Sequence, residues 1–177
     1  MIIDADYVIS KDLVNEILNF NLKSKYIGAN ADIYHCVFNS VIKEKLYPSK
    51  IILFKKNKAK YREVGHKEVL KINGRIKKFK NFILHEDKKS YKRWIDGQTK
   101  IAEFELNYIL KDKNKNKIKF KDKIRLIPIL PILLLIMYYI FKINILKYGF
   151  GGIVFLAQRI TFETILNFKL IKNYLKI

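Results

Sequence analysis

The sequence predicts an α/β fold in which a mixed sheet with helices is followed by a hydrophobic helical region. Three observations lead there. Short strand-like runs separated by turn signals fill residues 34–80. Apolar residues recur at helical spacing in the stretch after Ser10 and again over 90–110. An uncharged, almost wholly apolar block, 126–141, precedes a last helical stretch.

Taken in order, Ile2 and Ile3 read as a short buried strand ending in Asp4-Ala5-Asp6. Ser10 then caps a helix, with Asp12 in its first turn and Leu13, Val14, Ile17 and Leu18 as its apolar stripe. Lys50–Phe54 and Ala59–Arg62 flank a Lys-Asn-Lys turn and predict a hairpin. Glu68–Leu70 and Arg75–Phe79 flank a second turn signal, Asn73-Gly74. Phe82-Ile83-Leu84 leads into His85-Glu86-Asp87. A long helix follows from about Ser90 to Leu110, offering Trp94, Ile95, Ile101, Ala102, Leu106 and Ile109 for packing. Residues 111–125 read as a basic linker.

The block 126–141 would reach about 24 Å as a helix, short of a hydrocarbon core of roughly 30 Å. Pro128 and Pro131 predict an irregular start. A membrane-embedded or interfacial hairpin fits best, with a full span or a buried helix as the alternatives. Gly149–Gly152 should break the chain before a final helix over Ile153–Leu175.

The 177 residues suffice for one domain with a core, and the 50% hydrophobic content argues against disorder. No secretory signal opens the chain. Cys36 is the single cysteine, so no internal disulfide framework exists, and a reducing compartment fits. The formal charge of +20 points to an anionic partner: nucleic acid, a membrane surface or a phosphorylated substrate. A lysine-rich codon bias accounts for it equally well. Nucleic acid is not expected, because the basic stretch lacks interleaved aromatics and adjoins the hydrophobic block.

Three clusters can carry chemistry. Asp4 and Asp6 place two carboxylates at i and i+2, an oxygen set that suits Mg²⁺ or Mn²⁺ shared with a diphosphate; a solvated turn is the plain alternative. In Gly65-His66-Lys67-Glu68 a carboxylate can take a proton from an attacking hydroxyl while His66 orients the substrate, or the group is surface charge on a hairpin. His85-Glu86-Asp87-Lys88-Lys89 can meet an anion or sugar hydroxyls just before a helix, or simply cap that helix. One Cys and three scattered His supply no ordinary zinc set, and no Walker loop or dinucleotide fingerprint is present.

The ordered set Ile2–Ser10, Tyr47–Lys56, Glu63–Glu68, Asn73–Ile76, His85–Lys89 with Arg93-Trp94 and Gln98, and Gly149–Gly152 with Gln158-Arg159 and Glu163 resembles bacterial family 2 glycosyltransferases. The similarity is to the lipopolysaccharide-core and envelope-sugar branch, from its D-x-D strand onward. It implies the C-terminal half of a GT-A fold and a single-displacement, inverting transfer. Asp6 with Asp4 would hold the cation and nucleotide diphosphate. Glu68 would be the base, with Asp87 as its rival. His66 and His85 would contact acceptor or diphosphate, and Glu86, Arg93 and Trp94 would bind substrate. Lys67 separates His66 from Glu68, where many relatives set His and Glu side by side.

The expected organisation is a partial GT-A catalytic domain over 1–110, the basic linker 111–125, and a membrane-associated hairpin and amphipathic helix over 126–177. The nucleotide-binding N-terminal half of the family is expected to be missing. The expected partners are a nucleotide sugar, a glycan or lipid-linked acceptor and an anionic membrane surface, at the cytoplasmic face of the bacterial inner membrane. The alternative is a non-catalytic basic module that binds the membrane surface.

Overall fold

The computed structural model describes residues 3–21, 25–64, 67–114 and 119–175. Among them it forms a mixed α/β chain of two compact units, Met1–Lys88 and Lys89–Ile177. The first holds the strands and one short helix; the second is helical.

Of the expected opening strand, Ile2 lies outside the described residues and Ile3 is not in a strand. Asp4–Asp6 form a turn, closed by the Tyr7 N–H donating to the Asp4 carbonyl at 3.1 Å, and strand β1 (Tyr7–Ile9) comes after it. Tyr, Val and Ile are good strand formers, and they pair with a strand some eighty residues later in the chain. Helix α1 (Lys11–Leu18) starts as predicted. The Ser10 hydroxyl accepts from the Leu13 N–H at 3.2 Å, and Leu13 is fully buried.

Seven further strands follow: β2 (Gly28–Ala31), β3 (Ile33–Val37), β4 (Ser40–Ile42), β5 (Lys50–Phe54), β6 (Ala59–Val64), β7 (Lys67–Ile72) and β8 (Ile76–Lys78); β9 (Ile83–His85) closes the unit. One mixed sheet has the order β1-β9-β3-β4, a second the order β5-β2-β8, and β6-β7 form a ribbon of their own. The predicted β5-β6 hairpin does not form. A 3-10 turn at Lys56–Lys58 redirects the chain, and the apolar β5 pairs antiparallel with β2 while β6 pairs with β7. The small residues of β2 allow this close approach: a Cβ on Gly28 would lie 2.7 Å from the Leu53 carbonyl oxygen. Asn73-Gly74 does turn the chain between β7 and β8, with Gly74 at φ +144°, but β8 then runs parallel to β2. Leu13, Ala29, Ala31, Ile33, Ile52, Phe79 and Ile83 make the core.

The Glu16 carboxylate ties α1 to the approach to β9. It accepts from the Lys80 N–H at 2.9 Å and from the Asn81 N–H and side-chain amide, each at 3.1 Å.

In the helical unit α2 runs Tyr91–Asn114, longer than its predicted end at Leu110, and α3 (Phe120–Arg125) lies inside the stretch read as linker. The unit boundary therefore falls before the long helix. Ala102 and Ile109 of α2 pack with Phe162, Leu166 and Leu170 of α5 (Gly149–Leu175). Spacings of seven and four put each set on one stripe.

The apolar block is interrupted. The chain bends at Pro128, Ile129 takes φ 66°, and α4 (Leu130–Met137) continues into a π-helical turn, Tyr138–Lys142. Asn144 is left-handed, a 3-10 turn covers Ile145–Tyr148, and Gly149 at φ 60° opens α5. The break thus comes ahead of Gly151 and Gly152, which are helical. Gly152 is needed for another reason: a Cβ there would stand 2.2 Å from the Ile145 carbonyl oxygen. Among the described residues no single helix is long and apolar enough to cross a membrane; Leu130–Lys142 and Ile145–Asn173 pass only as a pair bent by 69°.

Polar groups hold the bend. Arg125 reaches Glu163 through Nε at 2.8 Å and Nη2 at 3.1 Å, and lies 3.5 Å from Asp122 and 3.9 Å from Glu105. Burial works against the guanidinium charge, but Glu163, Asp122 and Glu105 more than offset it and raise the Arg125 pKa. The Asn167 amide donates to the carbonyls of Arg125 (3.1 Å) and Ile127 (3.4 Å) and accepts from the Ile129 N–H (3.2 Å).

Candidate functional site

Strand pairing assembles the site. Antiparallel β1 sets Tyr7 opposite His85, and parallel β3 sets His35 opposite the same residue. Side chains opposite one another on neighbouring strands share a face. The His85 ring accordingly meets Tyr7 edge-on at 5.6 Å and His35 at 4.9 Å between centroids. Tyr47 lies 5.0 Å from His35 on the same measure.

Hydrogen bonding links these rings to the acidic turn. His85 Nε2 is 3.1 Å from Asp6 Oδ2, and His85 Nδ1 is 3.0 Å from His35 Nδ1. A carboxylate only accepts, so Nε2–H donates to Asp6; in the neutral imidazole Nδ1 then accepts from His35 Nδ1–H. The order of donation is His35 to His85 to Asp6. The Glu86 N–H donates to the Asp6 carbonyl at 3.0 Å, fixing the turn from the backbone side.

Asp4 faces another partner. Its carboxylate pairs with the Lys50 ammonium, which also stands 4.8 Å from the centroid of the Tyr7 ring. The Tyr7 hydroxyl is held well above its ordinary pKa, first by burial and then by the charge and hydrogen bond of Asp4. One turn therefore presents two carboxylates, each balanced by a basic group.

The remaining predicted residues divide. Glu86 pairs with Lys88 at 3.3 Å, and Asp87 is exposed one residue further on. Glu68 is placed by its backbone on β7, opposite Glu63, in the ribbon that pairs with neither sheet. His66 lies outside the described residues. Arg93 and Trp94 belong to the helical unit, in the first turn of α2, where the Ser90 hydroxyl accepts from the Arg93 N–H at 3.5 Å and Tyr91 stacks on Trp94 at 6.1 Å.

His35, Tyr7, Tyr47 and Lys50 join the site without having been singled out in the sequence. His35 reads as an isolated strand residue there. Only the β3-β9 pairing, fifty residues apart, brings it to His85. A second polar knot in the same unit surrounds Asp32, with Ser49 at 2.5 Å and the Lys78 and Lys45 ammoniums at 2.7 and 3.7 Å. Burial raises the Asp32 pKa, but hydrogen bonds from Lys78 and Ser49 outweigh it and the net shift is downward.

Asp4 and Asp6 fit a divalent cation as a half-set. They offer two hard oxygen donors from one turn, and Mg²⁺ commonly takes its other ligands from water and a substrate diphosphate. Among the described residues no three His, Cys, Asp or Glu side chains converge as a metal-binding group. Compared against protein-family models, curated proteins and solved structures, the chain matches none.

Proposed function

We propose that the chain is the metal- and acceptor-side part of an inverting glycosyltransferase of the family 2 kind. It would transfer a sugar from a nucleotide sugar to an envelope glycan or lipid-linked acceptor at the cytoplasmic face of the bacterial inner membrane. The observation that carries this reading is the 3.1 Å contact between Asp6 and His85. It joins the D-x-D turn to the His-Glu-Asp segment, two motifs of the ordered set that carries the family resemblance.

In a single displacement an acceptor hydroxyl attacks the anomeric carbon, its proton passes to a carboxylate, and the bond to the nucleotide diphosphate breaks. Asp4 and Asp6 would hold Mg²⁺ or Mn²⁺, which supplies charge neutralisation to the departing diphosphate. His85, 3.1 Å from Asp6 Oδ2, orients that carboxylate at the turn. His35 fixes the His85 tautomer. Lys50, beside Asp4, adds a cation where a diphosphate needs one. For the base, Glu68 remains the first candidate, and exposed Asp87 beside Glu86 is the rival. His66, Glu86, Arg93 and Trp94 remain the candidates for substrate contact.

The test is sugar transfer to envelope lipid by the full-length protein in membranes, using a panel of labelled nucleotide sugars. Asp6→Ala should abolish transfer, and Mn²⁺ titrated into the purified chain should bind the parent and not the variant. Transfer by Asp6→Ala that persists in excess chelator overturns the reading.

A second reading is a non-catalytic basic module at the membrane surface. It is favoured by the apolar side chains that α4 and the turns after it leave exposed. It predicts binding to anionic vesicles with no metal-dependent affinity for a sugar nucleotide.

A further inference from the structure

The helical unit leaves one face of its most apolar segment uncovered. Pro131 and Tyr139 are buried, whereas Leu133, Met137 and Phe141, four residues apart on one stripe, are 53%, 55% and 79% exposed. Leu134 and Tyr138 widen that stripe by one residue. Exposure of apolar side chains continues beyond the bend at Leu146, Phe150 and Ile153. A continuous apolar stripe of this kind on a soluble surface marks a contact face.

Charge and length identify what covers it. No Asp or Glu occurs between Asp122 and Glu163, and exposed Lys121 and Lys123 before the segment and Lys142 and Lys147 after it bracket the stripe with cations. The continuous helical piece Leu130–Lys142 is about 20 Å long at about 1.5 Å per residue, well under the roughly 30 Å of a hydrocarbon core. The backbone is broken at both of its ends, at Ile129 and at Asn144, so neither neighbour extends it. A helix standing upright would carry Lys142 and Lys147 into the acyl chains. A helix lying flat keeps both pairs of lysines level with phosphates while the stripe sinks to the headgroup–acyl boundary.

We propose that Leu130–Lys142 lies in the plane of one leaflet of an anionic phospholipid membrane, stripe downward, as a monotopic anchor. The inference deepens the membrane half of the proposed function and makes a lipid leaflet, not a protein, the occupant of this face.

The test uses the full chain and vesicles of phosphatidylcholine with or without phosphatidylglycerol. The parent should co-sediment with the anionic vesicles, more weakly as salt rises. Leu133→Glu, Met137→Glu and Phe141→Glu together should lower partitioning by roughly tenfold or more with an unchanged circular dichroism spectrum, because these side chains leave the protein core intact. Lys142→Gln with Lys147→Gln should weaken the preference for the anionic lipid, and adding Lys121→Gln and Lys123→Gln should weaken it further; an unchanged preference in the fourfold variant overturns the proposal. Phe141→Trp in a Trp94→Phe background should be quenched more by lipids brominated near the headgroup than near the chain ends. Stronger deep quenching, or undiminished binding by the triple variant, overturns the proposal. So does a lipid-free dimer that the triple variant dissolves while vesicle binding stays unchanged. Asp6→Asn should bind vesicles like the parent, so loss of transfer in that variant bears on the glycosyltransferase reading alone.

Discussion

His85 has both ring nitrogens committed, one to Asp6 and one to His35, so its tautomer is set by neighbours on two other segments. Outer partners of this kind typically contribute 10- to 100-fold to metal affinity or activity. If the turn holds the cation as proposed, His85→Gln should weaken Mn²⁺ binding by about 10-fold or more, and His35→Phe by less, as read by calorimetric titration. Equal affinity in both variants would remove the relay from the site. Asn167 acts on a different kind of problem. Its amide satisfies three backbone groups around Ile129, a β-branched residue at φ 66° that ordinary packing does not tolerate. Asn167→Leu should cost about 1–3 kcal/mol in chemical denaturation, since it strands two part-buried carbonyls and an N–H.

Glu16 gives a pH signature. Burial raises its pKa, but the Lys80 and Asn81 hydrogen bonds outweigh that and the net shift is below the ordinary 4.5. The folded form then holds its proton less tightly than the unfolded one. The contribution to stability is complete above about pH 4.5 and is lost as pH falls through the lower folded value. Glu16→Gln should flatten the acid limb of a stability–pH curve for the sheet unit.

At the scale of elements, what could be read in advance depended on whether the signal was local. The Ser10 cap, the break at Pro128 and the long helix after Ser90 each rest on a few adjacent residues, and each is present. Strand β2 escaped notice because Gly-Ala-Asn-Ala has none of the branched or aromatic residues that announce a strand. The true partners of β5 and β6 were hidden for a related reason, since pairing is decided by strands elsewhere in the chain. The site follows the same division. Asp4, Asp6 and His85 were visible as polar residues beside apolar runs, but His35 needed the β3-β9 register to matter. Gly152 shows how a local reading can find the right residue for the wrong reason. It allows α5 to start against the Ile145 carbonyl and does not break the helix. Gly152→Val should destabilise by about 1–3 kcal/mol through overpacking, measured by urea midpoint.

For the molecule as a whole, the division at Lys88 and Lys89 falls in an irregular, mostly exposed stretch between β9 and α2. Trypsin under native conditions is expected to cut there first, leaving fragments that begin near Ser90. Early cleavage within α5 instead would contradict the two-unit description. The net charge of +20 is spread through both units and says nothing of their fold, which is why composition alone left three partner classes open.

The bend at Leu126–Ile129 has a bearing on biosynthesis. Its carbonyls, its N–H and Arg125 are answered by Asn167 and Glu163, about forty residues downstream. The groups that seal the start of the greasy stretch are therefore among the last to be made. Glu163→Gln with Asn167→Leu should leave that stretch unsealed in the finished chain, which is expected to hold chaperones or membrane-targeting factors longer than the parent, as read by co-purification.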